Sequence, residues 1–435
     1  MSKESEVDTL TSMSSTLDQY ELQSIAVPRT ATSVQPQPQT QTQTHQQHPY
    51  TSTTSNSSPS IATQISNRIG NLITNFELKW FIITMGLGIT SSIFYSFPYP
   101  HRALQIIGLV VFGFDSFVLL ALLMLFTAHL LQHSKPGERR ERGAKIMYDL
   151  DKNVFLGAFS MGICSWCSML FKITGDRCVT FIWVLFWINT VLSLFTAFGV
   201  VVCILHKSKL NSHEITPTLL LPIVTIMVVS SFGQVIYPSL DSHRLKFTTV
   251  VFCFLLWALA VTLSFVITTV YFYRLIVHKL PSKEAIFTNF ISLGFLGQGA
   301  YSVQLFGENY QNYLLLVNAD VSPVPQAVVI EGLIFRNLGL LAGLFLQAFG
   351  FYLTAFAVAA VLTHYPLSVN FGWWAITFPC GTMSLGALQS YKLTGWEFER
   401  IISVIYAVIL FAAVLVNSVV PCWRYVRAVV NTGLL

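Results

Sequence analysis

Charged residues are scarce in this 435-residue chain. They make up 10% of it, whereas 53% of the residues are hydrophobic. A soluble domain carries about 25% charged residues, so this sequence cannot cover a water-exposed surface. A cleavable signal peptide is also missing, because residues 1–75 are polar and hold no apolar core segment. We therefore expect an all-α integral membrane protein whose first membrane segment directs its own insertion.

Signatures of enzyme chemistry are missing too. No phosphate-binding loop of the form G-x-x-x-x-G-K-[ST] occurs, so ATP is not expected as the energy source. Cys164 and Cys167 have redox or zinc spacing, but they lie in an apolar run and are interpreted as packing residues. Four histidines lie toward the cytoplasmic face at no catalytic or metal-like spacing: His129, His133, His206 and His278. We expect no cofactor, no metal and no nucleic-acid partner, and we disfavour a membrane enzyme or a receptor.

The N-terminal region differs from the rest of the chain. Residues 1–60 are rich in Ser, Thr, Gln and Pro, a composition that cannot bury enough apolar surface to fold, and they are predicted to form a disordered cytoplasmic tail. Two interpretations stay open, a regulatory tail phosphorylated by a kinase or a tolerated extension, and the second is favoured. In residues 61–78, apolar side chains recur at helical spacing, which predicts an amphipathic helix at the membrane interface.

Ten membrane-length apolar segments follow, and they define a transporter domain over residues 79–427. Lysine and arginine are more numerous in the loops on the side of the N-terminus, above all in KPGERRERGAK, so both termini, including the short C-terminus 428–435, are predicted to be cytoplasmic. The segments are 80–97, 103–131, 154–171, 179–205, 217–237, 247–276, 286–306, 335–363, 371–391 and 401–423.

Glycine and proline mark the odd-numbered segments. This recurrence predicts five helical hairpins. Close helix packing explains any single glycine as well as a pore does, but freed backbone polar groups are tolerated at membrane depth only beside protein or a polar cavity. We therefore expect the odd helices to surround a central pore and the even helices to lie outside. The marks include Gly86, Gly88, Gly162, Pro217, Pro222, Gly233, Gly294, Gly297, Gly299, Pro379 and Gly381.

The odd segments, as bounded above, contain no ionisable Asp, Glu, Lys, Arg or His. Proton-coupled transporters and cation channels usually need such groups, whereas hydroxyls, an amide and backbone N–H groups suit a loosely held anion. Asp115, in the second segment, is either a structural residue paired with a neighbour such as Asn189 or a titrating gate. The predicted pore-lining residues are Gly86, Gly162, Gly294, Gln298, Thr377, Pro379, Gly381, Thr382 and Ser384.

Three stretches resemble a known family: MGLGITSSIFYSFPYPHR (85–102), LGFLGQGAYSV (293–303) and WWAITFPCGTMSLG (373–386). They are similar to the fungal sulfite efflux pumps of the tellurite-resistance/dicarboxylate transporter family, which also contains plant slow anion channels and yeast malic acid transporters. The resemblance covers about residues 76–427. It implies ten transmembrane helices around a pore, commonly in a homotrimer, with Phe378 plugging the pore from the ninth helix.

The resemblance also implies a function, namely efflux of sulfite and hydrogensulfite anions across the plasma membrane, driven by voltage or an ion gradient. A C4-dicarboxylate transporter or a general anion channel of the same family is the alternative. The chain departs from the family at Ser160 and Phe295, where other members often have proline, and at Asn189, where they tend to have an acid. Phe295 is expected to add bulk near the path.

Overall fold

Helices dominate the part of the chain that the structure, a computed structural model, describes: residues 69–132, 149–207, 211–321 and 323–431. Ten long helices, named in chain order, account for most of it, and these described residues contain no strand. The helices are α1 Phe81–Tyr95, α2 Arg102–Leu131, α3 Leu156–Thr174, α4 Val179–Lys207, α5 Leu221–Ile236, α6 His243–His278, α7 Ile291–Val317, α8 Gln326–Thr363, α9 Thr377–Thr394 and α10 Glu397–Asn431.

Five consecutive hairpins organise these helices. Each odd helix packs on the even helix that follows it. The odd helices also pack on one another in the order α1, α3, α5, α7, α9 and back to α1, which closes a ring. We call these five the inner helices and the even ones the outer helices. The sequence-based expectation that glycine-marked helices lie inside is thus met by the packing.

The outer helices present large apolar side chains on the exterior of the molecule. Val110, Phe117, Val191 and Ile276 are each at least two-thirds exposed. Continuous apolar surface of this kind is excluded from water and suits lipid. Seven helical runs among the described residues are long and apolar enough to cross a membrane, one of them covering α3 and most of α4 together. The chain is an all-α integral membrane protein.

Short 3₁₀ helices precede four of the inner helices. They span Leu78–Trp80, Pro217–Leu220, Ile286–Phe290 and Phe371–Ile376 and lead into α1, α5, α7 and α9. Pro379 therefore does not kink the middle of a long helix, as its place in segment 371–391 had suggested. It stands in the first turn of α9, where the missing N–H of proline has no intrahelical partner to lose. The break in the element is the 3₁₀-to-α junction at Thr377.

Buried polar side chains join the inner helices. Ser230 of α5 hydrogen-bonds to Ser302 of α7 at 2.8 Å, and Gln304 of α7 donates to Ser390 of α9 at 2.7 Å. Such bonds hold helices together where no hydrophobic effect operates between helix and lipid. Polar residues of the inner helices therefore lie at contacts between helices and not only at cavities.

Asp115 does not pair with Asn189, so that prediction is wrong. The Asn189 amide instead donates to the Ser160 carbonyl oxygen at 3.2 Å and to the Cys164 sulfur at 2.5 Å. Asp115 is fully buried on α2 beside Gly88 of α1, and neither of its carboxyl oxygens has a hydrogen-bond partner among the described residues.

The predicted tail 1–60 lies outside the described residues, as do residues 61–68 of the predicted interfacial helix 61–78. Of that helix, residues 69–74 are described and helical, with Ile69 and Leu72 about half exposed. Phe76 is buried and packs edge-on against Trp80 and Phe81. The end of this segment is thus packed against the start of α1.

Candidate functional site: two cavities inside the ring

An apolar cavity of about 370 Å³ lies inside the ring of inner helices. All its lining residues are nonpolar, and each inner helix or the 3₁₀ helix before it contributes through its N-terminal half. We call it the apolar cavity. Its lining residues are Ile82, Met85, Met161, Leu221, Val224, Ile291, Gly294, Ala375, Phe378 and Pro379.

A second cavity, of about 430 Å³, is lined by Phe378 and by residues from later turns of the same five helices than those at the apolar cavity. It has hydroxyl, amide and ammonium groups in its wall, and we call it the polar cavity. Because each inner helix gives its first turns to one cavity and its later turns to the other, the five run in the same direction. The lining residues are Ile89, Ser92, Ser165, Ser168, Lys172, Val228, Ser231, Val235, Gln298, Tyr301, Phe378 and Leu385.

Phe378 lines both cavities and stands between them. Its side chain is 3% exposed, because the first turn of α9 directs it into the ring. Gly294 of α7 lies opposite, and a β-carbon added there would be 3.9 Å from Phe378 Cδ1 and 3.8 Å from Pro379 Cγ. The glycine therefore leaves space directly beside the ring. The ring is thus part of the wall of each cavity.

Gln298 brings an amide into the polar cavity. Its Nε2 donates a hydrogen bond to the Ser231 hydroxyl, which lines the same cavity. Its Oε1 has no hydrogen-bond partner among the described residues. An amide fixed by one bond adds a polar, uncharged group to the wall of this cavity.

Four of the predicted site residues thus lie at the cavities: Phe378, Gly294, Pro379 and Gln298. The others lie at helix contacts and line neither of these two cavities. Gly86 faces Thr377, Gly162 faces Thr84, and Gly381 faces Ile89, in each case so closely that a β-carbon would collide. The inner glycines at these contacts allow close packing, which was the simpler of the two explanations.

Hydroxyls of α9 are also occupied by structure. Thr377 donates to the Trp374 carbonyl oxygen and Thr382 to that of Pro379, both at 2.8 Å. Ser384 donates to the Ser403 carbonyl oxygen at 2.8 Å and so faces α10, away from the ring. Their geometry stabilises the first turns of α9 and its contact with α10.

Lys172 is a charged lining residue that was not predicted from the sequence. The predicted third segment ended at residue 171, but α3 continues to Thr174, and the polar cavity includes Lys172. The expectation of an uncharged path is therefore wrong at this end. The signal was available, since Ser165, Ser168 and Lys172 are spaced three, four and seven residues apart and share one helix face.

Phe295 does not add bulk to the path. It is fully buried and packs edge-on against Phe265 of α6, with ring centroids 5.5 Å apart. The side chain points from the inner ring toward the outer helices, which corrects the expectation drawn from its position in the family motif.

The histidines near one end of the bundle serve structural contacts. His278 pairs with the Ser212 hydroxyl at 2.8 Å, and His129 contacts the Ile73 carbonyl oxygen at 2.7 Å. His133 lies outside the described residues. Cys164 and Cys167 are buried with free thiols, and no group of three potential metal ligands occurs in the described part of the chain.

The chain is similar to known proteins over most of its length. A family model described as "SLAC1: Voltage-dependent anion channel" matches residues 75–420. The "Sulfite efflux pump SSU1" of Candida albicans is 34% identical over 337 residues, which are 73% of this chain and 66% of that protein. The protein of the same name from Saccharomyces cerevisiae is 28% identical over 373 residues, 75% of this chain and 81% of that protein.

The chain thus spans just under two thirds of the Candida relative. A third protein named "Sulfite efflux pump SSU1", from Arthroderma otae, is 28% identical over 76% of this chain and 84% of its own. The match with the family model is long and includes all five inner helices, which carry the two cavities and Phe378. The protein is therefore a membrane transport protein and not an enzyme. It belongs to the SLAC1 family of voltage-dependent anion channels.

Proposed function

We propose that this protein carries sulfite and hydrogensulfite out of the cell through the ring of inner helices, with Phe378 as the gate. The observation that carries the proposal is that one buried aromatic ring lies between two cavities lined by all five inner helices. The names of the curated relatives support sulfite as the substrate.

The apolar cavity is bounded by the first turns of four inner helices. The macrodipole of a helix is positive toward its N-terminus, and these four helices point that end toward the cavity, although the first N–H group of each is hydrogen-bonded to the preceding 3₁₀ helix. Four aligned dipoles around one space favour an anion over a cation without a fixed charge that would hold it. With the N-terminus cytoplasmic, as the lysine and arginine distribution favours, the apolar cavity faces the cytoplasm and the polar cavity faces outward.

Membrane voltage is a sufficient driving force. One negative charge that leaves an inside-negative cell gains about 2.3 kcal/mol per 100 mV. At 1.36 kcal/mol per decade, that supports roughly a fiftyfold concentration ratio. A dianion gains twice the free energy. The export of a charged anion therefore needs no ATP site in the chain.

Further parts of the proposal concern the setting of the path. We place the protein in the plasma membrane with ten transmembrane helices. The more polar α7 and α9 are two of them and cross the membrane as members of the ring of inner helices. The apolar outer helices are the surface for lipid and for a homotrimer with one path in each subunit. A kinase that acts on the N-terminal tail is the proposed regulatory partner.

Anion currents in patches from expressing cells test this function. Sulfite, malate, nitrate and chloride are supplied in turn on the cytoplasmic face. Sulfite current above that of untransfected cells, with little malate current, supports the proposal. Malate current that exceeds sulfite current would instead establish the C4-dicarboxylate alternative.

A further inference from the structure

Lys172 stands out within the polar cavity, because it is the single charged side chain among the lining residues. Its Nζ donates to the Ser92 hydroxyl at 2.6 Å, to the Ser96 hydroxyl at 3.0 Å and, more weakly, to the Ser92 carbonyl oxygen at 3.5 Å. Both serines lie at the C-terminal end of α1, where the helix dipole favours a positive charge. The ammonium is thus fixed in the cavity wall by neutral partners.

No carboxylate among the described residues forms an ion pair with Lys172. The ion pairs in this part of the chain involve other lysines and an arginine. Lys392 of α9 and Glu308 of α7 are charged groups of the same region. Lys392 repels Lys172, and Lys392 is itself attracted to Glu308. Glu308 also accepts a hydrogen bond of 2.6 Å from Gln389. Glu308 is therefore engaged by other partners, and Asp115, which is buried beside Gly88 close to Ser165, makes no hydrogen bond to Lys172 or Ser165.

Two hydroxyls complete the surroundings. Ser165 and Ser168 lie on the same face of α3 as Lys172 and also line the polar cavity. Neither hydroxyl has a hydrogen-bond partner among the described residues, so both are available as donors. An ammonium group with two free hydroxyls is a set of donors that suits an oxyanion.

We propose that Lys172, with Ser165 and Ser168, forms an oxyanion-binding site in the polar cavity, and that this site prefers anions with two negative charges over those with one. The preference follows from Coulomb's law, since the attraction to one ammonium doubles with the charge of the anion. The inference rests on the proposed function, because it gives the anion a binding position on one side of Phe378.

The test uses stable probes that occupy the site. Sulfite currents are recorded in excised patches from cells expressing the full chain, while nitrate or sulfate is added to each face in turn. On the face that opens to the polar cavity, sulfate should inhibit more strongly than nitrate in the parent protein, and raised ionic strength should weaken the effect. Lys172→Gln should raise the half-inhibiting concentration about threefold for nitrate and about tenfold for sulfate.

The controls separate charge in the cavity from charge nearby. Lys172→Arg keeps the charge and should retain sulfate inhibition. Lys246→Gln removes one exposed positive charge from the same end of the bundle, where its Nζ contacts the Pro238 carbonyl oxygen, and it should change neither probe. Surface labelling confirms equal amounts of each variant.

The outcomes distinguish the two proposals. A parent protein without sulfite current overturns the proposed function itself. Sulfite current with equal nitrate and sulfate inhibition in the parent, insensitive to salt, overturns the Lys172 site alone and needs no variant to fold. Unchanged half-inhibiting concentrations in Lys172→Gln, or equal shifts in Lys246→Gln, also overturn it.

Discussion

Replacement of the aromatic ring at Phe378 by a methyl group is the most informative perturbation of this protein. In Phe378→Ala the wall between the apolar and polar cavities loses its largest group, and Gly294 opposite offers no side chain to take its place. The two cavities would then form one continuous space through the ring of inner helices. We expect a larger anion current.

The size of the increase follows from the burial of the ring. Phe378 is 3% exposed, and moving a buried phenylalanine side chain out of its packing costs about 1.5–3 kcal/mol. If passage of the anion requires that displacement, truncation of the Phe378 side chain lowers the free-energy barrier to passage by a similar amount. At 1.4 kcal/mol per factor of ten, the sulfite current should rise roughly ten- to hundredfold. Phe378→Leu, which retains an apolar group of intermediate size, should give an intermediate increase.

The assay compares sulfite current per surface molecule in excised patches. Phe295→Ala is the matched control, because it removes an equally buried phenylalanine from the neighbouring inner helix without opening either cavity. Large-to-small changes of this kind cost about 3–5 kcal/mol of stability, so surface labelling is needed for both variants. An unchanged current in Phe378→Ala at normal surface level, or an equal increase in Phe295→Ala, would refute the gate.

Three other changes test the packing around the path. Gly294→Leu should fill the apolar cavity and abolish most of the sulfite current, whereas Gly294→Ala should retain it, because the added carbon meets neighbours at ordinary contact distance. Gly297→Ala should lower the free energy of unfolding by about 1–3 kcal/mol, since its β-carbon would overlap the backbone of α9. Gly113 has open space around it, so Gly113→Ala should have the melting temperature of the parent. Ser384→Ala should cost about 1 kcal/mol of stability and leave the current per surface molecule unchanged, because that hydroxyl bonds to Ser403. A reduced current would instead indicate that Ser384 lines the path.

The sequence was sufficient to predict the inner and outer helices, since glycine and proline recur on every odd segment while apolar side chains cover the even ones. The prediction succeeds because helices that pack closely in a ring need small residues at their contacts, and small residues can be recognised in the sequence. Phe378 was predicted from the family resemblance and Gln298 from the polar groups that remain in the odd segments, and both lie at the cavities. Their roles in transport stay predictions.

The purpose of each individual glycine could not be predicted from the sequence. Gly86, Gly162 and Gly381 lie where a neighbouring helix needs the space, whereas Gly294 lies at a cavity. The difference depends on which residue of another helix stands opposite, and that is a property of the assembled ring. The 3₁₀ helix Phe371–Ile376 was hidden for a similar reason, because its residues are as apolar as those of the α-helix that follows.

Charge is distributed unevenly along the path, and this distribution bears on selectivity. In the proposed mechanism, the N-terminal dipole ends of four inner helices favour an anion and repel a cation on one side of Phe378. On the other side the Lys172 ammonium favours an anion and opposes the negative dipole ends of the inner helices. It follows that opening the gate should raise anion current without admitting cations. In a gradient of potassium sulfite, the current of Phe378→Ala should therefore reverse at the equilibrium potential of the anion. A shift of the reversal potential toward the equilibrium potential of potassium would contradict this distribution of charge as the basis of selectivity.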